Sequence, residues 1–279
     1  MSILPLYPSR INPLLDATEK MQAKHHLPHG LQMVQVSTDC PKHGLVVRDV
    51  VNIIAEQARH ICPKCKAEQD EADLIARTTK ERECVARQSG ITHYKQFDAW
   101  QPFGEQVQRM QGIINFAQQY LPMGNTSNII MYGKTGTGKT LLANLIASDF
   151  VRHGKHVQII RASDIHSQVR ATWSKHSDVS EHELMNDWIN QDLLVIDELG
   201  EADGASNADT AIANRERISR IIDGRYSRNL PTIITTNLER DEIVERLGDR
   251  AWDRLAQNAV MIAFNWGSFR KANQSFMEI

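Results

Sequence analysis

An α/β fold built on a parallel sheet is what this sequence predicts, and three observations predict it. From Glu105 onward, short apolar runs alternate with longer stretches of helical periodicity. The runs are apolar on successive residues, as strands covered by helices on both faces require. One run opens into a glycine-rich loop followed by a helix, and another ends in two adjacent carboxylates.

Taken in chain order, residues 1–35 carry Pro5, Pro8, Pro13 and Pro28 and read as irregular with one short helix. Residues 36–88 contain Cys40, Cys62, Cys65 and Cys84, followed by a charged helical stretch, Lys66–Arg87. Residues 89–104 read as a linker. Helical periodicity then covers Val107–Tyr120, Lys139–His153, Asp164–Ser174, Glu181–Asn190, Thr210–Ser227 and Arg240–Leu247. Apolar runs expected as strands are Asn128–Tyr132, His156–Ile160, Leu193–Ile196, Thr232–Thr235 and Val260–Phe264.

The whole chain has 279 residues and a formal net charge of −2, with 41% hydrophobic and 24% charged residues. At about 150 residues per domain this suggests two domains with real cores, and it excludes a disordered or collagen-like chain. No apolar run approaches the roughly 20 residues that span a bilayer, so no membrane partner is expected. Met1–Arg10 lacks the pattern of a secretory signal, and the expected location is cytoplasmic. In a reducing compartment, clustered cysteines point to metal binding rather than disulfides.

The most specific motif is Gly133-Lys134-Thr135-Gly136-Thr137-Gly138-Lys139-Thr140, a match to G-x-x-x-x-G-K-[ST] between a strand and a helix. Its glycines allow a tight bend that presents N–H groups to phosphate oxygens, and the helix directs its positive end at the same place. Lys139 supplies a positive charge near the β- and γ-phosphates, and Thr140 a hydroxyl for Mg²⁺. The set expected to hold ATP runs from Gly133 to Leu141 and includes Asp197.

Leu193–Ile196 delivers Asp197 and Glu198 to the carboxyl end of a strand, where open α/β sheets bind ligands. Asp197 suits Mg²⁺, directly or through water. Glu198 suits the base that orients and deprotonates an attacking water. Another strand ends in Asn237, which either holds that water and senses the γ-phosphate or caps the next helix. Arg250 and Arg254, four residues apart, share one face of a helix. They read either as a salt-bridge ladder with Asp249 and Asp253 or as an arginine finger supplied to a neighbouring subunit. Arg270 reads as a nucleotide contact or as a surface residue.

Cys40-Pro-Lys-His43 and Cys62-Pro-Lys-Cys65, with 18 residues between them, fit a closed tetrahedral Zn²⁺ site of Cys₃His type. A redox C-x-x-C belongs in a thioredoxin-like βαβ setting, which is absent here. His60 competes with His43 as the fourth ligand, and Cys84 is left over. A site filled by four protein ligands is structural. The expected organisation is residues 1–88 as a zinc-binding domain, to which the family resemblance given next adds partner docking, 89–104 as linker and 105–279 as the ATPase domain.

Together, the phosphate loop, Leu193-Leu-Val-Ile-Asp-Glu198, Thr235-Thr-Asn237, Gly248-Asp-Arg-Ala-Trp-Asp-Arg-Leu255 and Phe264-Asn-Trp-Gly-Ser-Phe-Arg270 resemble AAA+ ATPases of the DnaC/IstB type. The last two motifs are similar to those of DnaC-type helicase loaders from bacteria and phages. The resemblance covers roughly residues 89–272. It implies an AAA+ P-loop sheet and ATP hydrolysis, with Asn237 as the polar sensor, Arg254 as the trans-acting finger with Arg250 beside it, and Arg270 contacting nucleotide in cis. It also implies a replicative hexameric helicase and single-stranded DNA as partners, and self-association through the trans finger. Ala162–Asn190 lies where such loaders carry an extra helix. Its Arg170, Trp173, Lys175 and His176 suit backbone contact and base stacking, or else Trp173 packs into the core of an ordinary amphipathic helix. The competing readings are an IstB-like transposition ATPase acting on duplex DNA, and a zinc-dependent interaction module with a degenerate nucleotide switch. The intact Lys139, Thr140, Asp197 and Glu198 speak against the last.

Overall fold

A computed structural model describes residues 30–102, 106–121, 124–200 and 208–269. The proline-bearing start of the chain and Arg270 lie outside the described residues. Two compact units divide the chain, Met1–Thr79 and Lys80–Ile279.

In the first unit, strands β1 (Met33–Cys40) and β2 (Gly44–Val51) form an antiparallel hairpin closed by the pair Cys40 and Gly44. Along β1, Val36, Thr38 and Cys40 are buried while Gln35, Ser37 and Asp39 are exposed. That two-residue period turns Cys40 to the same face as the small apolar cluster of Val36, Val50 and Ala58. Helices α1 (Ala55–Arg59) and α2 (Pro63–Gln88) follow, the boundary between the units falling within α2, after Thr79. Pro63 opens α2, where a missing N–H costs nothing. The Thr38 hydroxyl donates to the Ala58 carbonyl at 3.1 Å. Arg48 donates to the carbonyls of Ala58 and Ile61 at 2.9 and 2.7 Å, fixing the turn that leads into Cys62. The cysteine spacing had not predicted this hairpin.

The second unit holds a five-stranded parallel sheet in the order β4-β5-β6-β3-β7. Its strands are β3 (Asn128–Gly133), β4 (Val157–Arg161), β5 (Leu193–Leu199), β6 (Thr232–Thr236) and β7 (Ala259–Phe264). Its helices are α3 (Val107–Tyr120), α4 (Lys139–Arg152), α5 (Asp164–Ala171), α6 (Glu181–Asn190), α7 (Ala208–Tyr226), α8 (Arg240–Leu247) and α9 (Asp249–Ala256). Two apolar clusters cover the sheet, one containing Met110, Leu142 and Val195, the other Trp188, Ile196 and Ile221. Adjacent residues of β5 thus feed different clusters, and all of Leu193–Ile196 is buried, as the continuous apolar run required.

Residues 89–104, expected as a linker, are instead part of the second unit as far as they are described. Ile91, Phe97 and Trp100 are buried in its core. Ser89 O accepts from Ile159 N, and Asn144 Oδ1 accepts from Thr92 N at 2.9 Å. The apolar spacing of Ile91, Phe97 and Trp100 was the available signal, too irregular for a helix or strand template.

Arg225 is buried in α7. Its guanidinium donates to the carbonyls of Trp188, Ile189, Gln191 and Pro231 and to the Thr232 hydroxyl. It therefore satisfies the last turn of α6 and the start of β6 together. Burial pulls its pKa down to about 9. No helix among the described residues is long and apolar enough to cross a membrane.

Candidate functional site

The phosphate loop leaves β3 at Gly133 and enters α4 at Lys139, with Gly138 as N-cap in the left-handed region at φ 97°. A side chain at Gly133 would run into the Phe264 carbonyl, so close strand contact and a positive φ both require glycine here. Lys139 is buried, and its Nζ donates to the carbonyls of Gly133 and Lys134 at 2.6 and 2.9 Å. It also donates to Asn237 Oδ1 at 2.7 Å. The order of strands explains this meeting: β6 is the neighbour of β3, so residues at their carboxyl ends share one crevice.

β5 is the other neighbour of β6 and brings Asp197 to the same place. Asp197 Oδ1 accepts from the Thr140 hydroxyl at 3.0 Å and from the Thr235 hydroxyl. Thr235 in turn accepts from the Glu198 amide at 3.0 Å. Glu198 has φ 59°, a left-handed conformation that costs a non-glycine residue roughly 1–3 kcal/mol. The pairing of β5 with β6 becomes irregular between Ile196 and Leu199, around this residue. The kink aims the Glu198 carboxylate at Arg161, whose Nε lies 3.5 Å away.

Arg250 and Arg254 project from α9 but do not form a ladder with Asp249 and Asp253. Both converge on Asp223 of α7, with Arg250 Nη2 at 3.1 Å. Arg254 also lies over the Tyr226 ring, whereas Arg250 is 73% exposed. Helix α5 ends at Ala171, and Trp173 beyond it is 59% exposed rather than core-packed. Its indole donates to Glu181 Oε2 at 2.9 Å, and Arg217 lies over its ring. Arg170, Lys175 and His176 are exposed as well.

In the first unit, ligand atoms of Cys40, His43, Cys62 and Cys65 all lie within 4.8 Å of one another. The hairpin turn supplies Cys40 and His43, and the start of α2 supplies Cys62 and Cys65. His43 Nδ1 stands 3.7, 3.6 and 3.3 Å from the sulfurs of Cys40, Cys62 and Cys65, and Cys40 Sγ is 3.5 Å from Cys65 Sγ. A tetrahedron with metal–ligand bonds of about 2.0–2.3 Å has edges of roughly 3.5–3.8 Å, so the donor set fits one metal ion. His60 stands apart, exposed beside Glu56, and Cys84 is exposed on α2. Backbone N–H groups of Lys42 and His43 hold the Cys40 thiol down to about 6, favouring the thiolate that binds metal. The Cys65 thiol, bonded to Cys40, is pushed up to about 11. On its far side, His43 Nε2 lies 3.2 Å from Glu68 Oε1, and Lys42 holds the other Glu68 oxygen at 2.5 Å. A carboxylate behind a ligating imidazole fixes its tautomer and direction.

Residues 70–276 match the model of a family described as IstB-like ATP binding protein. The chain belongs to the IstB/DnaC family of ATP-binding proteins. It is 34% identical over 227 residues to the replicative helicase loader DnaC of Escherichia coli K12, covering 76% of this chain and 90% of that one. It is 35% identical over 148 residues to the DnaC loader of Buchnera aphidicola subsp. Baizongia pistaciae, covering 53% and 58%. Among solved structures, a crystal structure of the DnaC helicase loader is similar over 60% of this chain and 95% of its own, at 24% identity and a TM-score of 0.49. The family match begins after Cys65, so the four clustered ligands stand outside it.

Four residues around these sites were not singled out in the sequence. Thr235 joins Asp197 to the Glu198 amide, Arg161 holds the Glu198 carboxylate, and Glu68 backs His43. The fourth, Trp266, donates its indole N–H to the Thr137 carbonyl at 2.9 Å. Thr235 and Trp266 had nearby signals, the Thr-Thr-Asn run at the end of β6 and the Phe264–Arg270 motif, whereas Arg161 and Glu68 had none.

Proposed function

We propose that this chain is an ATP-hydrolysing loader of a replicative hexameric helicase, binding that helicase and single-stranded DNA. The observation that carries the reading is the match to the DnaC loader across 90% of that protein's length, at 34% identity. The crevice supports the chemistry. The 133–141 loop would bind the phosphates of ATP through its N–H groups, and Lys139 would move from its carbonyl partners onto the β- and γ-phosphates. Thr140 and Asp197, already 3.0 Å apart, are oxygen donors suited to Mg²⁺. Mg²⁺ supplies neutralisation of the phosphate charge. Glu198 would swing from Arg161 to accept a proton from water as the water oxygen attacks the γ-phosphorus, releasing ADP and phosphate. Asn237, bonded to Lys139, is suited to orient that water.

A neighbouring copy would bring an arginine to the γ-phosphate. Arg254 is the finger by motif, but it must leave Asp223 and Tyr226 to serve, whereas Arg250 is already exposed. Arg270 would contact nucleotide in cis, which the bond between the Phe269 amide and the Gly136 carbonyl supports, since it fixes the preceding residue beside the loop. Exposed Trp173 with Arg170, Lys175 and His176 suits stacking and backbone contact with single-stranded DNA. In the first unit, Cys40, His43, Cys62 and Cys65 would hold a structural Zn²⁺, and this module would dock the helicase. The proposed division of labour is residues 1–88 for docking and residues from 105 onward for ATP, with 89–101 as a packed entry to the ATPase core.

The test is sedimentation of the protein with the replicative hexameric helicase of its host, in ATP and in ADP. A nucleotide-dependent complex supports the loader, and no complex with that helicase overturns it. The IstB-like description of the family keeps a transposition ATPase as second reading. Stimulation of turnover by duplex rather than single-stranded DNA would favour it.

A further inference from the structure

The motif Phe264-Asn-Trp-Gly-Ser-Phe269 does more than end the sheet. After β7 the chain turns across the outside of the phosphate loop. Trp266 Nε1 donates to Thr137 O at 2.9 Å, and Phe269 N donates to Gly136 O at 2.8 Å. Ser268 lies against Gly136, and the Phe269 ring against Gly138. Trp266 itself is buried, held by the Phe264 ring with centroids 4.7 Å apart.

We infer that this strap sets the phosphate loop for nucleotide and that Trp266 is its positioning residue. The inference rests on the reading of the loop as a nucleotide site. A peptide group is planar and trans, so its carbonyl and the following N–H point in opposite directions. Holding Gly136 O and Thr137 O outward therefore turns the N–H groups of Thr137 and Gly138 inward, where a phosphate oxygen would sit. Gly136 and Gly138, at φ 81° and 97°, impose little preference of their own, and peptides beside glycine rotate readily. The Thr137 hydroxyl bonds Lys134 O at 2.8 Å, which braces the loop but leaves both outward carbonyls to the strap. The buried Thr137 carbonyl would otherwise face the cost of a missing partner, and the loop would relax by turning that peptide over.

Trp266→Phe keeps a ring and removes the donor. Titration calorimetry with Mg-ADP is expected to give a dissociation constant raised about 3- to 10-fold, the size of one net hydrogen bond, with stoichiometry unchanged. A merely structural role would reduce the stoichiometry or melting temperature and leave the affinity of the folded fraction alone. Ile114→Val, which thins the same core away from the loop, is expected to stay within twofold of wild type. Hydrogen exchange on the unmutated protein gives a second measurement: the Phe269 amide should become more protected when Mg-ADP binds. Wild-type affinity in Trp266→Phe, or unchanged Phe269 protection on binding, would overturn the inference. Failure of the unmutated protein to bind Mg-ADP would instead overturn the nucleotide reading.

Discussion

The two units of this chain solve the folding problem by different means. The larger unit sandwiches a five-stranded sheet between two apolar clusters. Among its described residues, the cysteine unit buries a small apolar cluster, Val36, Val50 and Ala58, whose transfer from water contributes on the order of 5 kcal/mol. A structural zinc site in a small peptide supplies about 10–16 kcal/mol. The first unit should thus depend on its metal and the second should not, which also allows their duties to be separated experimentally.

The largest way to break this contrast is Cys62→Ser. It should unfold the hairpin and metal site, seen as lost hydrogen-exchange protection over residues 33–62, while residues 128–264 keep theirs. Loss of protection in both would mean that the large unit leans on the small one.

Next in size, Glu198→Gln should lower ATP turnover about 10²- to 10⁴-fold, the usual scale for a general base. Phosphate-release assays should show this with nucleotide affinity and zinc content intact. Unchanged turnover would remove Glu198 from the role of base.

Arg225→Met strikes the large unit's interior. It strands the carbonyls of Trp188, Ile189, Gln191 and Pro231 and should lower denaturant stability of that unit by roughly 3 kcal/mol. The metal site should not register it.

Smallest is Glu68→Gln behind His43, expected to weaken zinc about 10-fold in a chelator competition while leaving ATP binding unchanged. Lys42 and His43 hold the Glu68 carboxyl below its ordinary range, so it is the charged form that the amide replaces.

What the sequence revealed follows from how local each feature is. The phosphate loop occupies consecutive residues, and its strand and helix flanks announce themselves by periodicity. Asp197 and Glu198 were legible because a buried strand has one obvious end. That Asn237 meets Lys139 became visible only once β6 was seen beside β3. Arg161 reaches Glu198 only through the pairing of β4 with β5, and Trp266 reaches Thr137 across 129 positions. No local pattern carries such contacts. The β1–β2 hairpin was missed although Val36, Thr38 and Cys40 alternate with polar residues, because the cysteine spacing was read as knuckles alone. The turn of that hairpin carries His43 into the cluster, while His60 follows α1 and is exposed. The arginines were read against acids one residue away, but helix packing gave them Asp223 from another helix.

The measurement that tests the central claim most directly is made on one sample of full-length protein, before and after zinc is removed with a strong chelator. Binding to the host's replicative helicase and binding to Mg-ATP are both read. The two-unit account predicts that helicase binding is lost and Mg-ATP binding stays within about twofold, since the partners described above for the phosphate loop, Asp197, Asn237, Trp266 and Phe269, belong to the larger unit. Loss of both, or helicase binding that survives demonstrated removal of zinc, would contradict it.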